Sequence, residues 1–172
     1  MLIRDFPAIR KDLLKLRLAL RFSRIFSSHI KGETTDKRLW DLIENFFSSL
    51  EIAKLSLQSS LVFYYFFLWN FLKIQGYQPE LQKCVLCRQS SNPSYFFWKS
   101  SEGGLVCPNC SIKKRIGAQR INPYTLMVLR SIFSQGIQDL LKMRVDFQIL
   151  LNLKIITKHY FNFIQEKEKQ HD

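Results

Sequence analysis

Glycine and proline are scarce in this sequence, 6 and 5 of its 172 residues. A chain so poor in both is no flexible linker, turn repeat or low-complexity segment. Acidic side chains are few as well, 14 against 26 Lys and Arg, which leaves a formal charge of +12. That surplus favours an anionic partner, with nucleic acid the first candidate and an acidic peptide the second. No apolar run is long enough to cross a bilayer: the stretch 61–72 (LVFYYFFLWNFL) covers 12 positions, Asn70 among them, where a spanning helix needs about 20. It reads as a buried core helix. The N-terminus, MLIRDFPAIRKD, carries Asp5 and no long apolar stretch, so it is no secretory signal. The expectation is a cytoplasmic chain without a membrane partner, its thiols reduced unless a metal takes them. Glycine-rich phosphate loops, paired catalytic carboxylates and nucleophile elbows are also missing, so no enzymatic activity is expected.

What is present is apolar mass, 47% of the chain, enough to offset chain entropy in one compact domain or a domain with a small lobe. Residues 8–30 are rich in helix formers and contain no Gly or Pro. Ile9, Leu13, Leu16 and Leu20 recur there at helical spacing and read as the buried stripe. Gly32 ends that segment. Thr35 or Asp36 can cap a second helix, in which Leu39, Ile43, Phe46 and Leu50 repeat. A third helix, 53–75, contains the aromatic run and stops at Gly76. Residues 95–99 and 105–106 read as short strands around a turn at Ser100-Ser101-Glu102-Gly103-Gly104. Helix resumes at Asn122-Pro123, Asn as cap and Pro at the first position, and stops near Gly136. A last helix runs over 146–168. The fold class is mainly α, a helical bundle with an inserted zinc-ribbon β-hairpin. Residues 1–83 supply its first helices, 84–110 the ribbon, and 111–172 a basic linker with the helices that complete the same bundle.

All four cysteines fall in one motif, Cys84-Val-Leu-Cys87 and Cys107-Pro-Asn-Cys110, with 19 residues between the pairs. Two intervening residues make a knuckle that aims both sulfurs at one point, and a hairpin between the pairs brings the knuckles together. Zn²⁺ accepts four thiolates and keeps no open position, so such a site is structural. An iron centre with four thiolates is chemically possible too. A redox pair would accompany a βαβ pattern, which is absent, and cysteines that only pack would not fall into two matching pairs.

Basic residues gather in two places. On an ideal helix Arg10, Arg17, Arg21 and Arg24 fall within about 60° of one another, with Lys11 and Lys15 to one side. An Arg row can grip phosphates or carboxylates through forked hydrogen bonds, or be an ordinary solvated face. Lys113, Lys114, Arg115 and Arg120 follow the last cysteine, where a rigid lobe could present them to a nucleic-acid backbone or where they merely solubilise a linker. His29, His159 and His171 lie far from the cysteines in sequence, and His159 reads as a helix-face or core residue rather than a ligand.

The segment Phe71-Leu72-Lys-Ile-Gln-Gly76-Tyr77-Gln-Pro79-Glu80-Leu81, followed by Cys84-x-x-Cys87, resembles the bacterial recombination mediator family RecO. So does Glu102-Gly103-Gly104-Leu105-Val106-Cys107-Pro108-x-Cys110, and so do the first helix, the helix after Asn122-Pro123, and His159. The resemblance implies a helical domain with an inserted zinc ribbon. It also implies a nucleoid-associated role in DNA repair through the RecF pathway. Its partners would be RecR, the acidic C-terminal tail of SSB, and single- and double-stranded DNA, with RecA loaded indirectly. The Arg stripe between apolar flanks would suit the SSB tail. The family begins with an oligonucleotide-binding barrel of about 80 residues, and this chain is expected to start where that barrel ends. A structural zinc-ribbon protein in a larger nucleic-acid-binding assembly is the other reading of the same residues.

Overall fold

The computed structural model describes residues 5–29, 36–89, 95–115 and 117–169. They form two compact units, Met1–Ile74 and Gln75–Asp172. Ile30, Gly32, Thr35 and His171 lie outside the described residues, as does the side chain of His29.

The first unit is helical: α1 (Pro7–Lys11), α2 (Leu13–His29), α3 (Lys37–Ile52) and α4 (Leu57–Ile74). The single helix expected over 8–30 is broken. Asp12 leaves the helical backbone at φ −117°, ψ 115°, and its Oδ1 accepts from the amides of Leu14 at 2.8 Å and Lys15 at 3.2 Å. A short carboxylate thus caps α2 and separates it from α1. The start of α1 has no cap of its own. Both oxygens of Glu51, at the end of α3, accept instead from Ala8 and Ile9, at 2.8 and 3.0 Å. The Lys15 ammonium donates to the Glu51 carbonyl at 2.6 Å, which satisfies a buried cation.

The buried face of α2 is also not the expected one. Lys15, Leu18, Ala19 and Phe22 are buried, whereas Leu13 is 65% and Leu20 60% exposed. Asp36 caps α3 by accepting from the Arg38 amide at 2.9 Å. The third helix begins at Leu57 rather than residue 53, after an extended turn at Ala53. α4 is buried on nearly every side and packs with α2 and α3. Phe22 and Phe46 stack at 4.1 Å between centroids, and Phe67 meets Phe46 edge-on at 5.1 Å. The aromatic run is core, as expected. No helix among the described residues is long and apolar enough to cross a membrane.

The second unit opens with the turn after α4 and carries β1 (Phe96–Lys99), β2 (Gly104–Val106), α5 (Pro108–Lys113), β3 (Gln119–Ile121), α6 (Pro123–Ser134), α7 (Ile137–Lys142) and α8 (Phe147–Lys169). The expected hairpin is β1 and β2, paired antiparallel with Phe97 opposite Val106. Its turn closes through Gly103, a left-handed residue at φ 74°. A third strand that the sequence reading did not anticipate, β3, pairs on the other edge of β1, giving the order β2-β1-β3. α5 and α7 are likewise additions. Asn122 caps α6 by accepting from the Tyr124 amide at 2.8 Å, and α6 ends at Ser134, two residues before Gly136. Phe96, Trp98, Leu105 and Ile121 are buried, and Trp98 meets Tyr160 of α8 edge-on at 5.5 Å. The chain is therefore mainly helical with an inserted ribbon-type hairpin.

Candidate metal centre and nucleic-acid interface

The four cysteine sulfurs converge. Those of Cys84, Cys87, Cys107 and Cys110 all lie within 4.8 Å of one another, with Cys87 and Cys107 at 3.9 Å. A tetrahedron with metal–sulfur bonds of about 2.3 Å has edges of about 3.8 Å. The cluster is thus close to the size that one ion needs, and the donor set is that of a closed structural site. Cys84 and Cys107 are buried, while Cys87 and Cys110 are more accessible.

Local structure explains the convergence. In the first knuckle Arg88 turns left-handed at φ 60° and returns its amide to the Cys84 carbonyl at 2.9 Å. The Val85 amide donates to the Leu105 carbonyl at 2.8 Å, which ties this knuckle to β2. In the second knuckle Cys107 caps α5, accepting from the Cys110 amide at 3.5 Å. Among the described residues little apolar packing supports the site: Val106, Val85, Leu86 and Phe97 are the side chains packed with the cysteines.

Two thiols are pushed in opposite directions. Burial alone would raise Cys84, but the amides of Cys107, Cys87 and Leu86 point at its sulfur and outweigh that cost, holding it down at about 6. Burial and the neighbouring Cys107, Cys87 and Cys84 sulfurs push Cys110 up to about 12. In the metal-free fold, Cys84 contributes stability above its ordinary value near 9, and this is lost as pH falls through about 6. Cys110 does the reverse: its contribution is present below 9 and lost as pH rises through about 12. Near neutral pH, Cys84 is already a thiolate. Titrating Zn²⁺ into metal-free chain in weak buffer with an indicator dye should therefore release fewer than four protons per ion. Release of all four would mean that the amides do not hold that charge.

The approach to the first knuckle is pinned at several points along the turn. Gly76 takes φ 85° after α4. The Tyr77 carbonyl accepts from the Tyr160 hydroxyl at 3.3 Å. The carboxylate of Glu80 accepts from the amides of Gln82 and Lys83, at 2.7 and 3.1 Å, and these bonds hold its pKa below the usual range. The Leu81 carbonyl accepts from both Nε and a terminal nitrogen of Arg130 at 2.9 and 2.7 Å. Neither Arg130 nor Tyr160 was singled out from sequence. The one signal was a lone Arg in the otherwise apolar helix PYTLMVLRSIFS.

This turn and the two knuckles are the segments that carried the family resemblance. The family model described as "Recombination protein O C terminal" matches residues 10–170. The chain belongs to the RecO C-terminal family. A DNA repair protein RecO of Dehalococcoides mccartyi is 27% identical over 166 residues, covering 96% of this chain and 63% of that protein. The RecO of Caldanaerobacter subterraneus is 30% identical over 110 residues, 64% of this chain and 42% of the relative. That of a Thermoanaerobacter species is 24% identical across 99% of this chain and 67% of its own length. The chain thus spans somewhat under two thirds of the first of these relatives. No solved structure matches it significantly.

Within this RecO-type unit the basic residues are placed as follows. Arg10 lies on α1, across the Asp12 break from the other three arginines, and pairs with Asp5. Arg17, Arg21 and Arg24 share α2 and are exposed. The Arg21 guanidinium rests over the Tyr64 ring at 4.2 Å. Arg17 and Arg24 alternate with the exposed Leu13 and Leu20, and at 100° per residue these four lie within about 60°. α2 contains no Asp or Glu. Lys113 ends α5, Lys114 caps it, Arg115 turns left-handed at φ 47°, and Arg120 lies on β3. All four are exposed. His159 is exposed on α8 and lines a cleft with Trp98, Lys99 and Gln119.

Proposed function

We propose that this chain is the helical, ribbon-bearing part of a recombination mediator acting in DNA repair. It would bind RecR, the acidic tail of SSB and DNA, and so help to load RecA on single strands in the cytoplasm, at the nucleoid. The observation that carries the reading is the family match over 10–170, which includes the turn and both knuckles of the metal centre. The protein acts by binding, not by catalysis. Four thiolates hold a structural Zn²⁺ and leave it no open position for substrate. The Lys113, Lys114, Arg115 and Arg120 cluster meets the nucleic-acid backbone, so DNA binding weakens with salt.

The α2 stripe suits the SSB tail because it offers carboxylates two exposed arginines and offers an apolar terminus two exposed leucines, with no acid within the helix itself to repel it. Titrating a labelled SSB-tail peptide into the Arg17→Glu/Arg24→Glu double variant should show affinity weakened by at least about 10-fold. Unchanged affinity would move the site elsewhere. At the level of the whole reading, a pulldown over a salt series should recover RecR and SSB together. Recovery of ribosomal or polymerase subunits instead would make the chain a structural ribbon in a larger assembly.

A further inference from the structure

The sheet of the second unit has two unlike faces. Phe96 and Trp98 of β1 are buried, whereas the alternating residues Tyr95, Phe97 and Lys99 are half-buried. Phe97 is paired with Val106 on one side and Arg120 on the other. Its Val106 side leans on the metal centre, and Arg120, on its other side, is exposed. There the Arg120 guanidinium lies over the Tyr95 ring at 4.4 Å, and Tyr95 meets Phe97 edge-on at 5.7 Å and 76°. Among the described residues Arg120 has no carboxylate partner. Lys99 donates one ammonium hydrogen to the Gly117 carbonyl at 3.0 Å and keeps two for another acceptor. α5, which ends in Lys113, packs against the same strand.

We propose that this face binds a single nucleic-acid strand, one base stacking on the outer plane of the Arg120 guanidinium while Tyr95 supports it from beneath. Lys99 and the cations at the end of α5 take the flanking phosphates. The proposal rests on the nucleic-acid role given to the ribbon above and specifies the form of its ligand. A duplex keeps its base faces stacked inward, so only an unpaired base can offer one to a guanidinium. The carboxylates of an acidic peptide would engage only the guanidinium edge. Charge agrees: residues 84–120 hold six cations and one acid. A zinc–tetrathiolate centre adds two negative charges, and the ribbon stays net positive.

The test is fluorescence anisotropy with the full zinc-loaded chain, a labelled thymidine oligomer of about 15 nucleotides and a duplex of equal length. Arg120→Lys keeps the charge and removes the plane; Tyr95→Leu keeps apolar bulk and removes the support. Each should weaken single-strand binding by about 10-fold and duplex binding far less, so that the ratio of the two affinities falls. Retention of one metal ion per chain shows that each variant ribbon is intact. If neither variant separates single strand from duplex while Lys113→Ala/Lys114→Ala weakens both, the stacking proposal is overturned and the phosphate-contact reading stands. If the lysine variant also leaves binding untouched, the ribbon does not hold nucleic acid at all, and both readings fall.

Discussion

Cys107→Ser chain should purify with essentially no bound metal, whereas the parent should carry one ion. Three thiolates and a hydroxyl cannot replace a closed set of four, and structural zinc sites contribute about 10–16 kcal/mol in apparent binding energy. Against that loss the knuckles have little to offer. Among the described residues Val85, Leu86, Val106 and Phe97 are the apolar side chains packed at the sulfurs, and a buried side chain of that kind is worth about 1.5–3 kcal/mol when fully covered. The other face of the sheet is held differently, by Phe96, Trp98, Leu105 and Ile121, all 5% exposed or less. Damage should therefore be confined. Hydrogen exchange should accelerate at residues 84–89 and 107–114 and change little at Trp98 and Ile121. Loss of protection throughout the sheet would show that the ion, not the apolar face, holds the hairpin. Stoichiometric metal in the variant would remove Cys107 from the ligand set.

Gly104→Ala should cost about 3 kcal/mol, far more than a methyl group ordinarily does at a strand end. A Cβ at position 104 would sit 2.4 Å from the Glu80 oxygen and 2.9 Å from its nitrogen. Those are backbone atoms, and they cannot retreat. The Glu80 amide donates to the Gly103 carbonyl at 3.0 Å, and the Glu80 carbonyl accepts from the Leu105 amide at 3.1 Å. Displacing Leu105 pulls on Val85, so the variant should also surrender its metal to a competing chelator more readily. Gly103→Ala is the control. Nothing lies within 4 Å of a Cβ there, and its cost is the left-handed backbone alone, about 1–2 kcal/mol. Denaturant titrations of the two variants should separate them by the midpoint of unfolding. Equal losses would mean that close approach to Glu80 is not what position 104 requires.

The four-cysteine cluster was legible because two matched Cys-x-x-Cys pairs flanking a hairpin have the spacing that brings four sulfurs to one point. The Asp36 and Asn122 caps were legible for a similar reason, each being a short oxygen beside a helix start. α2 was misread because leucines surround it. Leu13, Leu14, Leu16, Leu18 and Leu20 fit more than one stripe, and the buried one contains Lys15, whose ammonium is satisfied by a carbonyl 36 residues away. Periodicity cannot reveal a partner at that distance. The Asp12 break was hidden in a run of good helix formers, and β3 is three residues long without an alternating pattern. The arginine row lost Arg10 to that break, and the same break left Leu13 and Leu20 beside Arg17 and Arg24, a more amphipathic strip than an all-arginine one.

Glu51 serves two masters at once, its carboxylate anchoring α1 and its carbonyl anchoring Lys15. A helix of five residues has no standing in water by itself, since nucleation alone outweighs what so few bonds return. α1 therefore depends on α3, whose last turn receives its first amides. α1 is in that sense a borrowed turn, its orientation dictated by a carboxylate some forty positions further along the chain.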